Sequence, residues 1–125
     1  MIKKEHLFSG LLLLATPALA IADAETDKGK AVFNGAGACF TCHGTSGKGD
    51  GPAAASLNPK PASFLDAAAF KFDTDGDGKK GTEKDIFDVI TNGAAKYGGS
   101  VLMAPQAHLS EADRKALAKY VVSFR

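Results

Sequence analysis

The chain has 125 residues, 45% of them hydrophobic, no Trp, and 15 basic against 14 acidic side chains, for a formal net charge of +1. That length suits one small domain, and so even a charge balance excludes the basic footprint of a nucleic-acid or anionic-membrane binder.

Residues 1–20 read as a secretory signal. Lys3 and Lys4 form its positive start, residues 7–20 its apolar run, and Ala18-Leu19-Ala20 its small-residue cleavage site, with Ala22-Asp23-Ala24 as the alternative. A membrane span needs roughly 20 apolar residues, whereas this run has 14 with Pro17 near its end. No other stretch is apolar enough to span, so no membrane anchor is expected once the leader is gone. Cleavage after Ala20 leaves residues 21–125 as a single domain with 13 basic and 13 acidic side chains, Lys3, Lys4 and Glu5 having been removed. Export of this kind is expected to place the protein outside the cytoplasm.

The first predicted helix starts at Thr26 as N-cap, with Asp27 in its first turn and apolar residues at helical spacing through Phe33. Asn34-Gly35-Ala36-Gly37 ends it. Cys39-Phe40-Thr41-Cys42-His43 follows and contains both cysteines of the chain. This spacing is the attachment pattern of a c-type haem. On a helical turn, positions i and i+3 share a face, so each thiol can form a thioether with one haem vinyl group while the next residue turns its imidazole onto the iron. A redox-active Cys-x-x-Cys would sit beside a βαβ pattern, and no run of β-branched strands is present. A zinc site needs about four N or S ligands, more than the two Cys and the two His outside the leader comfortably supply. A plain disulfide stays open.

From Gly44 to Gly81 the chain is too rich in Gly and Pro for long regular elements. Leu57, Phe64, Leu65, Phe70 and Phe72 recur within it, which suggests a loop wrapped around something hydrophobic, the haem edge or a minor core. Asp73-Thr74-Asp75-Gly76-Asp77-Gly78 matches the first half of an EF-hand calcium loop, with Asp73, Asp75 and Asp77 at positions 1, 3 and 5. The match then fails, since Lys84 stands where the bidentate Glu belongs. The expectation is a solvated acidic turn neutralised by Lys71, Lys79 and Lys80, with calcium as the minor alternative.

Thr82-Glu83-Lys84-Asp85 opens the next helix as a variant capping box, Ile86, Phe87, Val89 and Ile90 form its buried face, and Asn92-Gly93 stops it. Leu109-Ser110-Glu111-Ala112-Asp113 reads as a hydrophobic staple and capping box, followed by Leu117, Tyr120 and Val121 at helical spacing. Between them Met103 lies in a loop freed by Gly98 and Gly99 and restrained by Pro105. Past the leader, Met103 and His108 are the candidates for the iron's second axial position. A thioether is soft, and His/Met ligation raises the potential; His108 sits just before a helix cap and is expected to face solvent. Three helices with irregular connections make an all-α domain. With so few large side chains, a buried porphyrin would be its largest apolar object, so the chain without haem is expected to be unfolded or molten.

The mature chain resembles the class I cytochromes c, in particular the small exported bacterial ones. Gly29 and Phe33 match the family's N-terminal pair, Leu117 and Tyr120 the C-terminal helix pair on which it packs, and Gly51-Pro52 the Gly-Pro whose proline carbonyl accepts the axial histidine's Nδ1–H. Asn58-Pro59-Lys60-Pro61-Ala62-Ser63-Phe64 looks like the haem-flanking loop of one subset. Phe33 stands six residues before Cys39, further than in many relatives, and Met103-Ala104-Pro105 replaces the commoner Met-Pro. The resemblance implies the small class I cytochrome c fold, three main helices and long loops wrapped around one covalent haem c. Cys39, Cys42, His43, Pro52 and Met103 would hold the haem, with His43 and Met103 as axial ligands.

The function implied is that of a soluble one-electron carrier between transient redox partner proteins, performing no bond chemistry on a substrate. The alternatives are a peroxidase-like haem enzyme or gas-responsive module in which Met103 leaves the iron, with His108 as the spare acid/base, and a subunit docked permanently on an oxidoreductase.

Overall fold

The computed structural model describes residues 17–125 other than 67 and 69. Four α-helices, α1 (Pro17–Asn34), α2 (Phe40–His43), α3 (Glu83–Asn92) and α4 (Glu111–Val122), are joined by irregular segments, and no strand occurs among the described residues. The architecture is all-α, as expected. Three helices carry the packing, and the single turn of α2 carries the cysteine motif.

Helix α1 departs from expectation at its start. It runs unbroken from Pro17, so Thr26 lies inside it rather than at its cap. A proline is tolerated in a first helical turn because the amide it lacks has no partner there. Most of the predicted leader lies outside the described residues. Both candidate cleavage points fall within α1.

The fold is held by the crossing of α1 and α4. A Cβ built on Gly29 would lie 2.1 Å from the carbonyl oxygen of Ala116 and 2.7 Å from the Cβ of Tyr120, so only glycine permits this approach. One turn on, Phe33 is wholly buried and meets Tyr120 edge to face, ring centroids 5.3 Å apart, with Leu117 1% exposed beside them. The quartet expected from the resemblance therefore forms the centre of the helix crossing. Val32, Leu109, Ala116, Ala118 and Val121 complete that core. At the rim, Lys119 of α4 pairs with Glu25 of α1, a partly exposed contact worth little by itself.

Helix α3 packs on α4 through Ile90, 4% exposed. Its N-terminus is a full capping box. Thr82 Oγ1 accepts from the Asp85 amide at 3.2 Å, and the Asp85 carboxylate accepts the Thr82 amide at 2.9 Å. Helix α4 has only half of the expected box, Ser110 Oγ accepting from the Asp113 amide at 3.1 Å. The described residues between Gly44 and Gly81 are irregular, as predicted, with a 3-10 turn at Ala54–Ser56.

Candidate haem-binding site

Helix α2 starts from a constrained entry. Cys39 donates its amide to the Phe33 carbonyl at 3.0 Å, and Gly37 donates to Val32 at 2.8 Å, so the extra residues before the motif fold back onto the end of α1. Ala38 bridges the two at a φ of 49°, in the left-handed region that a residue with a Cβ rarely adopts. One helical turn then follows, His43 donating to the Cys39 carbonyl at 2.9 Å. Cys39 and Cys42 are both free thiols in this structure, with no disulfide between them. Burial pushes the Cys39 thiol up to about 11, against the opposing pull of its backbone hydrogen bond, and the sulfur donates weakly to the Gly37 carbonyl at 3.6 Å.

After the motif the chain turns back along it. Gly49 donates to the His43 carbonyl at 2.8 Å, Gly51 to Cys42 at 3.0 Å and Ala53 to Thr41 at 2.9 Å. Gly51 has to be glycine, because a Cβ there would stand 2.4 Å from the carbonyl oxygens of both Phe40 and Thr41. Phe64 then donates its amide to Gly47 at 2.7 Å, which seats residues 57–64 against the histidine.

This seating corrects one expectation. The acceptor for His43 Nδ1 is the Ala62 carbonyl, at 3.0 Å, and not that of Pro52. Pro52 is exposed, and it is the preceding glycine that touches the motif. A carbonyl can only accept, so Nδ1 carries hydrogen. Burial lowers the His43 pKa, partly offset by the bond to Ala62; this favours the neutral ring with its lone pair on Nε2, the form that binds iron. Its face lies against Phe64, centroids 4.4 Å apart.

The Met103 loop is held from the other side of the site. Ala94 donates to the Met103 carbonyl at 3.0 Å and Gln106 to the Ile90 carbonyl at 2.9 Å, fixing the loop on the C-terminus of α3. Gly93, at φ 80°, lets Pro105 approach, since a Cβ would meet the proline Cδ at 2.8 Å.

These elements enclose one cavity of about 720 Å³. Cys39, Cys42, His43 and Met103 all line it, and so do Leu57, Phe64, Phe70 and Phe72 of the long loop. Leu65 is the exception among the expected wrapping residues, being 47% exposed. His108 is not among the lining residues, and its Nε2 bonds instead to the Ala36 carbonyl at 3.0 Å. Two thiols, an imidazole nitrogen and a thioether thus face an aromatic-lined space of the size that holds a cofactor. The donor set and the lining both fit haem c.

The acidic turn is built differently from its sequence pattern. Asp73, Asp75 and Asp85 bring one carboxylate oxygen each within 4.8 Å of one another, and Asp77 is not in that group. Asp73 accepts from the amides of Gly76, Asp77 and Gly78 at 2.8, 3.1 and 2.9 Å. Backbone amides, rather than Lys71, Lys79 and Lys80, satisfy it; among the described residues no ion pair joins those lysines to the turn. Asp85, 1% exposed, accepts from the amides and hydroxyls of Thr74 and Thr82 at 2.8 to 2.9 Å. Burial alone would raise its pKa, but these hydrogen bonds outweigh it and hold the carboxyl below its usual range.

Sequence reasoning missed the roles of Ala62 and Asp85. The acceptor at Ala62 is main chain and leaves no side-chain signal, whereas Asp85 was visible as a cap and its second partner, Thr74, was not.

A family model for cytochrome c matches residues 26–125. No match was found among curated protein sequences. Proteins of this family carry covalent haem c and typically serve as electron carriers, and the free thiols of Cys39 and Cys42 beside the imidazole of His43 are the groups such attachment requires. With the match covering all of α2, α3 and α4 and half of α1, the chain belongs to the cytochrome c family.

Proposed function

We propose that this chain is a soluble one-electron carrier acting in the periplasm between transient protein partners, with His43 and Met103 as the axial ligands of its haem. The observation that carries the reading is the convergence of Cys39, Cys42, His43 and Met103 on one cavity. Haem, when bound, supplies the one-electron couple of its iron. The chain's own residues do the rest. Cys39 and Cys42 would hold the haem through thioethers, a redox-neutral addition of each S–H that needs no external oxidant. Ala62 holds the Nδ1 proton of His43, which fixes the ring and makes Nε2 a better donor. The aromatic lining excludes water, and a site that keeps both ligands in both oxidation states reorganises little on electron transfer.

Residues 1–20 fit a cleaved leader, with the Ala24 site as alternative, and residues 21–125 form the working domain. No helix among the described residues is long and apolar enough to cross a membrane. Val101 and Leu102, 76% and 54% exposed beside Met103, offer an apolar contact for a redox partner, in the small, short-lived mode of such encounters. The peroxidase-like alternative has less support, because His108, its spare acid/base, does not line the cavity.

The test is the absorption spectrum of the ferric holo-protein. The expected result is a low-spin spectrum with the weak long-wavelength band of methionine-to-iron ligation, lost in Met103→Ala. A high-spin spectrum in the unsubstituted protein would overturn the reading in favour of an enzyme or gas-responsive module.

A further inference from the structure

We infer that His108 is a positioning residue for Met103, tying the ligand loop to the opposite rim of the haem cavity. This rests on the His/Met reading above, and its test separates the two.

Two segments border the cavity mouth. One is residues 34–38, whose Gly37 and Ala38 line the cavity and run directly into Cys39. The other is residues 100–109, which carries Met103. The first is bonded back to α1 through Gly37 and Cys39. The second is bonded to α3 through Met103 and Gln106, and its far end is set by Leu109, 5% exposed in the core. Each loop is thus anchored to its own helix. Among the described residues, the one hydrogen bond that joins them is the solvent-exposed bond from His108 Nε2 to the Ala36 carbonyl, 3.0 Å long and spanning 72 residues of sequence.

The chemistry of that bond is simple. The Ala36 carbonyl only accepts, so Nε2 must carry hydrogen, and both the Nε2–H tautomer and the imidazolium provide it. The tie therefore persists whether or not His108 is charged. Its effect is geometric. Thioether attachment at Cys39 fixes the haem relative to residues 34–38, while Met103 rides on residues 100–109. The spacing between the two rims sets how firmly the thioether sulfur meets the iron. Without the tie, the loop is held only at α3 and Leu109, and Met103 competes less well with an external ligand. His108 never touches the iron; it acts through the loop.

The experiment titrates imidazole into the ferric holo-protein and reads the apparent dissociation constant from the shift of the main haem absorption band, which every variant has. Loss of one hydrogen bond should tighten imidazole binding in His108→Ala by about three- to tenfold. His108→Gln, whose amide reaches a similar distance and still donates, should stay within about twofold of the unsubstituted protein on the same grounds. Met103→Ala should bind imidazole far more tightly, and adding His108→Ala to it should change nothing further. An unchanged constant in His108→Ala, a His108→Gln variant as open as His108→Ala, or an added effect of His108→Ala in the Met103→Ala background would each overturn the inference while leaving the His/Met reading intact. A Met103→Ala constant equal to that of the unsubstituted protein would instead sink the His/Met reading.

Discussion

The imidazole of His43 lies nearly parallel to the ring of Phe64, their centroids 4.4 Å apart and their planes inclined by 24°. Phe64 in turn meets Phe70 and Phe124 at 6.0 Å each and Phe33 at 6.3 Å. One side chain therefore links His43 to the long loop, the C-terminus and the α1–α4 crossing. Removing a packed aromatic ring costs about 3–5 kcal/mol when fully buried; Phe64 is only partly buried. Phe64→Ala should destabilise the holo-protein by about 3 kcal/mol in urea unfolding and Phe64→Leu by less than half of that. Equal midpoints for all three proteins would show that the stack carries no stability.

At Gly29 the helix crossing and helix propensity oppose each other. Alanine is a better helix former than glycine by about 1 kcal/mol, which would favour Gly29→Ala on an isolated helix. Here the new methyl would stand 2.1 Å from backbone, the Ala116 carbonyl oxygen, which cannot rotate away. Overpacking of this kind costs about 1–3 kcal/mol or more, and α1 must lift off α4, loosening Phe33 and Leu117. Gly29→Ala should lower the urea midpoint by about 2 kcal/mol of stability, net of the propensity gain. A stabilised variant would mean that the crossing relaxes more easily than its geometry suggests.

The sequence carried what depends on residue type and spacing, and missed what depends on where the main chain goes. Gly29, Phe33, Leu117 and Tyr120 announce a close helix crossing because each position tolerates few residues. Thr82 and Gly93 mark both ends of α3 for a similar reason. The partner of His43 could not be read this way. Its acceptor is a carbonyl that any residue at position 62 would supply, brought in by the bond between Phe64 and Gly47. Asp85 shows a related limit, since its cap to Thr82 is local whereas Thr74 reaches it across 11 residues of irregular chain.

That buried carboxylate gives a pH dependence with a definite sign. Hydrogen bonds from Thr74 and Thr82 outweigh the burial penalty and hold the folded pKa of Asp85 below its unfolded value. Its contribution is then fully present above about pH 4, the unfolded carboxyl range, and is lost as the pH falls through the folded value. Asp85→Asn keeps one acceptor and loses the charge, so stability near pH 7 should fall by about 1.5–3 kcal/mol, the worth of hydrogen bonds to a charged group. Below about pH 4 the variant should also lose stability less steeply than the unsubstituted protein. Urea unfolding at a series of pH values checks both; parallel acid limbs would remove Asp85 as their cause.

Removing the haem should be felt more than any of these substitutions. Its cavity of about 720 Å³ is bordered by Phe64, Phe70, Ile86 and Met103, all only partly buried without a ligand. Emptied, a space of that size either leaves its apolar lining facing water or collapses, and each loses burial that the folded domain depends on. Water entering the mouth and collapse of the long loop both dismantle the site. The α1–α4 crossing is the element best able to survive, since Gly29, Phe33, Leu117 and Tyr120 pack on one another. A Cys39→Ser, Cys42→Ser double variant expressed without attached haem should therefore retain part of its helical far-ultraviolet circular dichroism, lack a fixed aromatic near-ultraviolet signal and melt without a cooperative transition. A sharp two-state melt with native near-ultraviolet signal would show that the polypeptide closes the cavity by itself, and that haem binding and folding are separate events.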